Sequence, residues 1–222
     1  MEETDKYCTF YIVRHGESEH NVNEIMQGHS DSPLTPKGRE QAKGRARDFK
    51  DIIIDKVFAS DLIRAQRTAE IIGIEKSLEV NTTKILRERF FGSYEGHPIS
   101  EFTEKTKHLL EKLKILSEAE KQDFKYEQDS GYESNNEIAE RMLTFLRETA
   151  VVYPGKTILV VSHGSIMRAL LMRLGVATYD QLVPKDIEHL AYIKLKTDGV
   201  DFFVEDLQDI NTTKFNFKKQ LI

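Results

Sequence analysis

One cysteine, Cys8, and no tryptophan occur in the 222 residues. A lone thiol excludes an internal disulfide and any cysteine metal cluster, so a reducing, cytoplasmic location is expected. No apolar run approaches transmembrane length. Met1 to Lys6 also lacks the basic, apolar and small-residue order of a signal peptide. An excess of positive charge is missing too: 32 Lys and Arg stand against 37 Asp and Glu, a net charge of −5. That balance argues against nucleic acid or an anionic membrane as a partner, and any anion site has to be local. Asn81-Thr82-Thr83 and Asn211-Thr212-Thr213 match the glycosylation acceptor, but without a secretion signal they read as chance. Internal repeats and low-complexity tracts are absent, and nothing in the sequence specifies a number of subunits.

What is present suffices for a core: 39% hydrophobic and 31% charged residues place the chain among folded globular domains. Residues 1–222 are expected to form one domain. Several β-rich runs alternate with helical patterns, which predicts an α/β fold: a three-layer, doubly wound, mostly parallel sheet with helices on both faces. Cys8 to Val13 reads as the first strand. Thr35 and Pro36 read as an N-cap and first helical residue, opening a helix through Ala42 and Ala46. Lys56 to Ser60 is a second strand, after which Asp61 is placed to cap a helix carrying Leu62, Ala65, Ala69 and Ile72 and ending at Gly73. Lys84 to Leu86 is assigned to a third strand. Thr157 to Ser162 is a strand suited to burial on both faces, followed by a helix from about Ser165 to Leu174. Leu190 to Leu195 and Val200 to Leu207 flank Asp198-Gly199 as a hairpin at the sheet edge. About residues 93–136 read as a helical cap inserted over the sheet. Within it Leu109, Leu110, Leu113 and Leu116 form an apolar stripe for cap packing, and an acidic stretch from Glu118 to Asp129 precedes Ser130-Gly131.

His15, Arg64, Glu88 and His163 each fall just past a proposed strand's C-terminal end, where open α/β sheets bind ligands. Arg14 joins them, giving two guanidiniums, two imidazoles and a carboxylate. The set suits a phosphate monoester, because arginine forks match phosphate oxygens and an imidazole nitrogen can attack phosphorus. At an effective dielectric near 20, a cation about 4 Å from a unit negative charge contributes roughly 4 kcal/mol of attraction. Two or three such cations can replace a metal ion. Hydrolysis of these esters needs accelerations of up to ~10²¹, about 28 kcal/mol, so charge stabilisation, covalent catalysis and leaving-group protonation all have to contribute.

These residues resemble the histidine phosphatase superfamily, the group that includes cofactor-dependent phosphoglycerate mutases and the fructose-bisphosphatase domain. The resemblance runs through Arg14-His15-Gly16-Glu17, Asn21, Gln27-Gly28, Asp31 to Thr35, Ser60-Asp61-Leu62 with Arg64 and Thr68-Ala69, Leu86-Arg87-Glu88, Phe91-Gly92, Glu95-Gly96 and Ser162-His163-Gly164. It implies a phosphoglycerate mutase-like fold, with His15 as nucleophile and Arg14, Arg64 and His163 binding the transferring phosphoryl group. Glu88 is implied as general acid and then base. Asn21, Gln27, Gly28, Arg89 and Ser165 are implied as substrate-binding positions. No metal and no cofactor are required, and the partner is a small phosphorylated metabolite.

Each residue alone has a duller reading. Arg-His-Gly arises by chance in roughly one or two chains of this length per hundred. His163 alone would be a turn histidine, Arg64 a solvated helix charge. Arg87 and Arg89 should depress the Glu88 pKa, against the needs of an acid. Glu17 reads as support for the loop. His20, His29 and Asp31 lack the spacing of metal ligands. Gly155-Lys156-Thr157 precedes a strand where a nucleotide loop must follow one, and is rejected.

Phosphatase, mutase and inactive binding module are the three functional readings. Mutases continue from Glu88 with a tyrosine where this chain has Phe91 and a lysine where it has Ile99. They also carry paired arginines in the insertion, whereas Phe102 to Asp129 contains none. They tend to have asparagine where Ser165 stands. The expected activity is therefore a metal-independent phosphomonoester hydrolase of the phosphatase branch. The complete set of charged residues speaks against the inactive module. Tyr132 in Gly131-Tyr132-Glu133-Ser134 departs from the branch's usual Gly-Gly-Glu-Ser, and His189 stands where many relatives have asparagine.

Overall fold

The structure is a computed structural model that describes residues 6–126 and 131–218, together with the backbone of 220–221. The N-terminal segment before Lys6, and the part of the acidic stretch at 127–130 including Ser130, lie outside the described residues.

Seven strands form one sheet: β1 (Cys8–Arg14), β2 (Lys56–Ser60), β3 (Val80–Thr83), β4 (Thr157–Ser162), β5 (Ile187–Thr197), β6 (Phe202–Ile210) and β7 (Gln220–Leu221). Their order is β3-β2-β4-β1-β5-β6-β7. The first four are parallel and the last three antiparallel. Burial on both faces explains the uninterrupted Ile158 to Val161 run in β4, in which every side chain is fully buried.

Two apolar clusters lie on opposite faces. One packs Ile72, Ala65 and Ala46, from the helices α2 (Pro36–Asp48) and α3 (Ile63–Ile74), against Val13, Val57 and Val161. The other packs Ile138, Met142 and Leu146 of α6 (Asn135–Val152) and Ile166 and Leu170 of α7 (Gly164–Arg173) against Phe10, Ile12 and Val160. Each such side chain contributes about 1.5–3 kcal/mol on burial, which holds the strand ends rigid. The motif-led reading passes over α6, although Ile138, Met142, Phe145 and Ala150 follow a helical period.

Thr35 caps α2 as expected, its hydroxyl accepting from the Gly38 amide at 2.9 Å. The α3 cap is a correction. Leu62 is the N-cap residue, and the carboxylate that accepts from the Ile63 amide, at 2.8 Å, is Asp31. Asp61 instead takes a bidentate pair with Arg87 at 2.7 and 2.7 Å, a stronger bond than a neutral cap. The third strand is also moved: Val80–Thr83 pairs with β2, and Lys84–Leu86 is a turn of 3₁₀ helix with Thr83 as cap. Helix α7 begins one residue earlier than expected, with His163 at the N-cap. The hairpin forms around Asp198-Gly199, but β5 is interior, lying between β1 and β6.

The insertion carries α4 (Ile99–Ile115) and α5 (Glu118–Asp123). Of the leucine stripe only Leu113 is buried, while Leu110 is exposed. Helix α4 is fastened instead through Phe102, whose ring meets Tyr94 and Tyr126 edge-on. Helix α5 is tied to the main body by Lys121 with Asp180 and by the Tyr179 amide on Glu118. No helix among the described residues is long and apolar enough to cross a membrane.

Candidate active site

Strands β1 and β4 are parallel neighbours, with Arg14 opposite Ser162. Their next residues, His15 and His163, therefore emerge side by side, and the His15 amide donates to the Ser162 carbonyl at 3.0 Å. The chain leaves β1 for α2 on one face and β4 for α7 on the other, which makes this crevice the point where an open sheet takes ligands. The two imidazole centroids are 5.1 Å apart.

His15 is 3% exposed, and its Nδ1 lies 2.7 Å from the Gly16 carbonyl oxygen. A carbonyl only accepts, so Nδ1 carries the proton and Nε2 keeps its lone pair. Burial, then the charges of Arg64 and Arg14, hold the His15 pKa well below the usual imidazole value, so the ring is neutral and nucleophilic at physiological pH. His163 is fully buried, and burial and Arg64 depress its pKa in the same way.

Arg64 comes from the first turn of α3 and is 1% exposed. Its two Nη groups donate to the carbonyls of Ser30 (2.9 Å) and Gly28 (2.7 Å), and burial lowers its pKa to about 10. Arg14 donates to the Ile187 carbonyl. Beyond these bonds, Nε of Arg14, Nε of Arg64 and both ring nitrogens of His163 are buried without a protein partner. Unpaired buried polar atoms of this kind are costly. Arg14 and Arg64 act electrostatically on both His15 and His163, whose rings are neighbours, and such a cluster fits a tetrahedral oxyanion such as a phosphoryl group.

Glu88 is oriented by backbone donors: Oε1 accepts from the Arg89 amide at 2.8 Å and Oε2 from the Ser165 amide at 3.1 Å. It lies close enough to Arg14 and Arg64 to favour their charged forms. The guanidiniums of the two flanking arginines are directed elsewhere. Arg87 faces Asp61, and Arg89 turns to Asn135 and Tyr132, with the Phe91 and Tyr132 rings beside its guanidinium. Asn21 Oδ1 accepts from the Ser18 amide, and the Ser18 hydroxyl lies within hydrogen-bond distance of both Asn21 Oδ1 and Gln27 Oε1. Gly28 has φ +51°, and a Cβ there would meet Glu95 Oε1 at 1.8 Å, so only glycine lets this loop reach Arg64. Glu17 accepts from Thr35 and Lys37, fastening its loop to α2. His29 binds the Glu88 carbonyl. Among the described residues no cluster of His, Cys, Asp and Glu is arranged to hold a metal ion.

Two groups that build the site have no role read from the sequence: Glu95, although it stands in the motif Glu95-Gly96, and Arg141, which stands in none. Glu95 accepts from the amides of His29 and Phe91, joining two site loops. Arg141 on α6 forms a bidentate pair with Glu133 at 2.9 and 2.9 Å and donates to the carbonyls of Ile85, Arg87 and Glu88. It clamps the segment that presents Glu88. Only its helical spacing from Ile138 and Met142, which leaves it on the sheet-end side, could have drawn attention to it.

Comparison with known proteins agrees with this geometry. The profile of the histidine phosphatase superfamily (branch 1) matches residues 10–210. A Bacillus subtilis protein named uncharacterized phosphatase PhoE is 31% identical over 164 residues, 74% of this chain and 76% of its own. Phosphoglycerate mutase-like protein 4 of Arabidopsis thaliana is 36% identical over 173 residues, 75% of this chain and 71% of its own. Among solved structures, a phosphoglycerate mutase from Bacillus anthracis superposes with a TM-score of 0.75 at 27% identity, covering 92% of this chain and 94% of that one. With a phosphoglycerate mutase-like fold, two histidines and two arginines at adjoining strand ends and a profile match over most of its length, the chain belongs to the histidine phosphatase superfamily, branch 1.

Proposed function

We propose that this member hydrolyses phosphomonoesters of small metabolites through a phosphohistidine at His15. The observation that carries this reading is the neutral His15 ring, its Nδ1 proton engaged by Gly16 at 2.7 Å, so that Nε2 keeps its lone pair, with the charges of Arg64 and Arg14 acting on the ring. Nε2 attacks phosphorus as the ester P–O bond breaks, and Glu88 gives its proton to the departing alkoxide. Glu88, now a carboxylate, takes a proton from water, whose oxygen attacks phosphorus. The N–P bond breaks and inorganic phosphate leaves. Arg14, Arg64 and His163 stabilise the charge on the phosphoryl oxygens throughout. Asn21 contacts the same group. Gln27 and Gly28 keep the supporting loop in place, Ser165 orients Glu88 through its amide, and Arg89 borders the leaving-group side. Residues 1–222 act as one domain, in which about 93–136 form a cap over the alcohol portion of the substrate.

The mutase reading has support in the names of some relatives. It is disfavoured by Phe91 and half-exposed Ile99 in place of polar contacts, and by Arg87 being committed to Asp61. Rapid acid-free quenching should trap an acid-labile, alkali-stable phosphoenzyme in the wild type and none in His15→Ala. Turnover should persist in excess chelator, and release of phosphate should exceed interconversion of phosphoglycerates. A divalent-metal requirement, or isomerisation outpacing hydrolysis by a hundredfold, would refute the proposal.

A further inference from the structure

The start of β5 is irregular. Ile187 pairs with Ile210 and Tyr192 with Gln208, so residues 188–191 face the single residue Asp209 and bulge outward at the C-terminal end of β1. Within the bulge Leu190 has φ +61°, a left-handed conformation that is strained for a non-glycine residue. Arg45 of α2, itself buried, holds it there. Its Nε donates to the Leu190 carbonyl at 3.0 Å and its Nη2 to Asp209 Oδ2 at 2.5 Å. Strain maintained by a dedicated buried arginine points to a side chain that has to be aimed. The side chain beside it, His189, has its ring centroid 6.0 Å from that of His15 and its Nε2 3.2 Å from Asn21 Oδ1.

The direction of that hydrogen bond follows from its neighbours. The Ser18 amide, 3.1 Å from the same Asn21 atom, can only donate, so the atom is the amide oxygen. An amide oxygen only accepts, so His189 Nε2 carries a proton. The Ser18 hydroxyl lies 2.8 Å from Asn21 Oδ1 and 2.9 Å from Gln27 Oε1, yet it has one proton. With His189 donating, the Ser18 amide and the imidazole fill both lone pairs of Asn21 Oδ1, and the hydroxyl proton is released to Gln27. The Asn21 amide nitrogen takes part in none of these bonds.

We infer that His189 is a positioning residue of the phosphoryl site, fixing the Asn21 side chain so that its amide nitrogen donates to the transferring phosphoryl group. The inference rests on the reading of Asn21 as a phosphoryl contact. Burial and the neighbouring Arg14 charge bring the His189 pKa down to about 4, so the ring donates as a neutral imidazole and adds no charge to the pocket.

The test compares donor-free and donor-bearing replacements, with orthovanadate as the phosphoryl analogue. His189→Met should lower kcat/KM by roughly tenfold, the usual scale of one lost hydrogen bond near a charged group, on both p-nitrophenyl phosphate and a sugar phosphate. The inhibition constant of orthovanadate should rise by the same factor. His189→Gln, which keeps an N–H, should recover most of the loss, and His189→Ala serves as a second donor-free variant if methionine destabilises the fold. In an Asn21→Ala background His189→Met should have no further effect. Equal impairment of the Met and Gln variants would reduce His189 to packing, and additive losses in the double variant would show that it acts apart from Asn21. Both outcomes overturn the inference while leaving Asn21 a ligand. An Asn21→Ala enzyme with unchanged vanadate inhibition would overturn the reading of Asn21 itself.

Discussion

Arg87 and Arg89 flank Glu88 in the chain, yet the Arg87 guanidinium is spent on Asp61 and that of Arg89 on Asn135. Each flanking guanidinium is thus turned away from the carboxylate to another partner. Glu88→Gln should lower kcat/KM by ~10²-fold or more for a sugar phosphate, whose alkoxide needs a proton, and clearly less for p-nitrophenyl phosphate. Equal losses on both substrates, with the circular dichroism spectrum intact, would move the acid role elsewhere. Glu133 is a poor substitute, since both its oxygens are held by Arg141. Arg64→Met should impair both substrates alike, because it removes charge from the shared phosphoryl group. It should also move the acid limb of kcat/KM to higher pH. The Arg64 charge is the largest cause after burial of the lowered His15 pKa, so its loss lets the nucleophile protonate earlier. A pH profile of the variant that keeps the wild-type acid limb would contradict this coupling.

At the level of elements, the segment carrying Glu88 is a 3₁₀ turn followed by loop, with no ladder to hold it. It is stiffened by α6, through Arg141 and its three carbonyl partners, and by Glu95. Arg141→Met removes one donor from each of those carbonyls and the charged partner of Glu133, while the Glu88 carbonyl keeps His29 and the Glu133 carboxylate keeps the Phe90 amide. Because both partners are about one-quarter exposed or less, water screens part of the loss, and roughly 2 kcal/mol of destabilisation is expected. The urea midpoint should fall accordingly. In addition kcat should drop while the vanadate inhibition constant stays near that of the wild type, since the phosphoryl ligands stand at the ends of β1 and β4, on α3 and at Asn21, and none of them is on the segment that Arg141 clamps. A rise in that constant matching the fall in kcat would show the clamp to support the whole pocket.

Across the whole molecule, two buried histidines and one half-buried histidine are held neutral: His15 and His163 well below the ordinary value, and His189 at about 4. In the unfolded chain each titrates near 6.5. Above about pH 7 neither state binds the proton and stability is at its full value. As pH falls below about 6.5 the unfolded chain takes up protons that the native state refuses, so stability decreases, by up to about 1.4 kcal/mol per pH unit for each histidine. For His189 the window closes near pH 4. Urea unfolding at pH 7.5, 6.5 and 5.5 should show a falling midpoint, and His189→Gln should flatten the slope by one histidine's share. A midpoint independent of pH over this range would mean that these rings titrate in the folded protein as they do in the unfolded chain.

Much of this molecule is written locally. The β-branched run of β4 can only be a strand buried on both faces, Thr35-Pro36 starts a helix wherever it occurs, and Asp198-Gly199 turns a hairpin. Placing Arg14-His15 and Ser162-His163 directly after such strands sets two imidazoles at one end of a parallel sheet before any contact is known. What remained open were choices between competing partners far apart in the chain. Asp61 forgoes its own helix for Arg87, 26 residues away, and Asp31 caps that helix across 32 residues. Arg141 reaches back 53 residues to the Glu88 carbonyl, and Arg45 crosses 145 to strain Leu190 and aim His189. Such pairings leave no periodicity or motif, because their energies depend on which groups the folded sheet and its two helical layers bring within about 3 Å of one another. The sequence by itself determined the chemistry and the strand ends that carry it. Only the tertiary structure decided how each side chain there is turned.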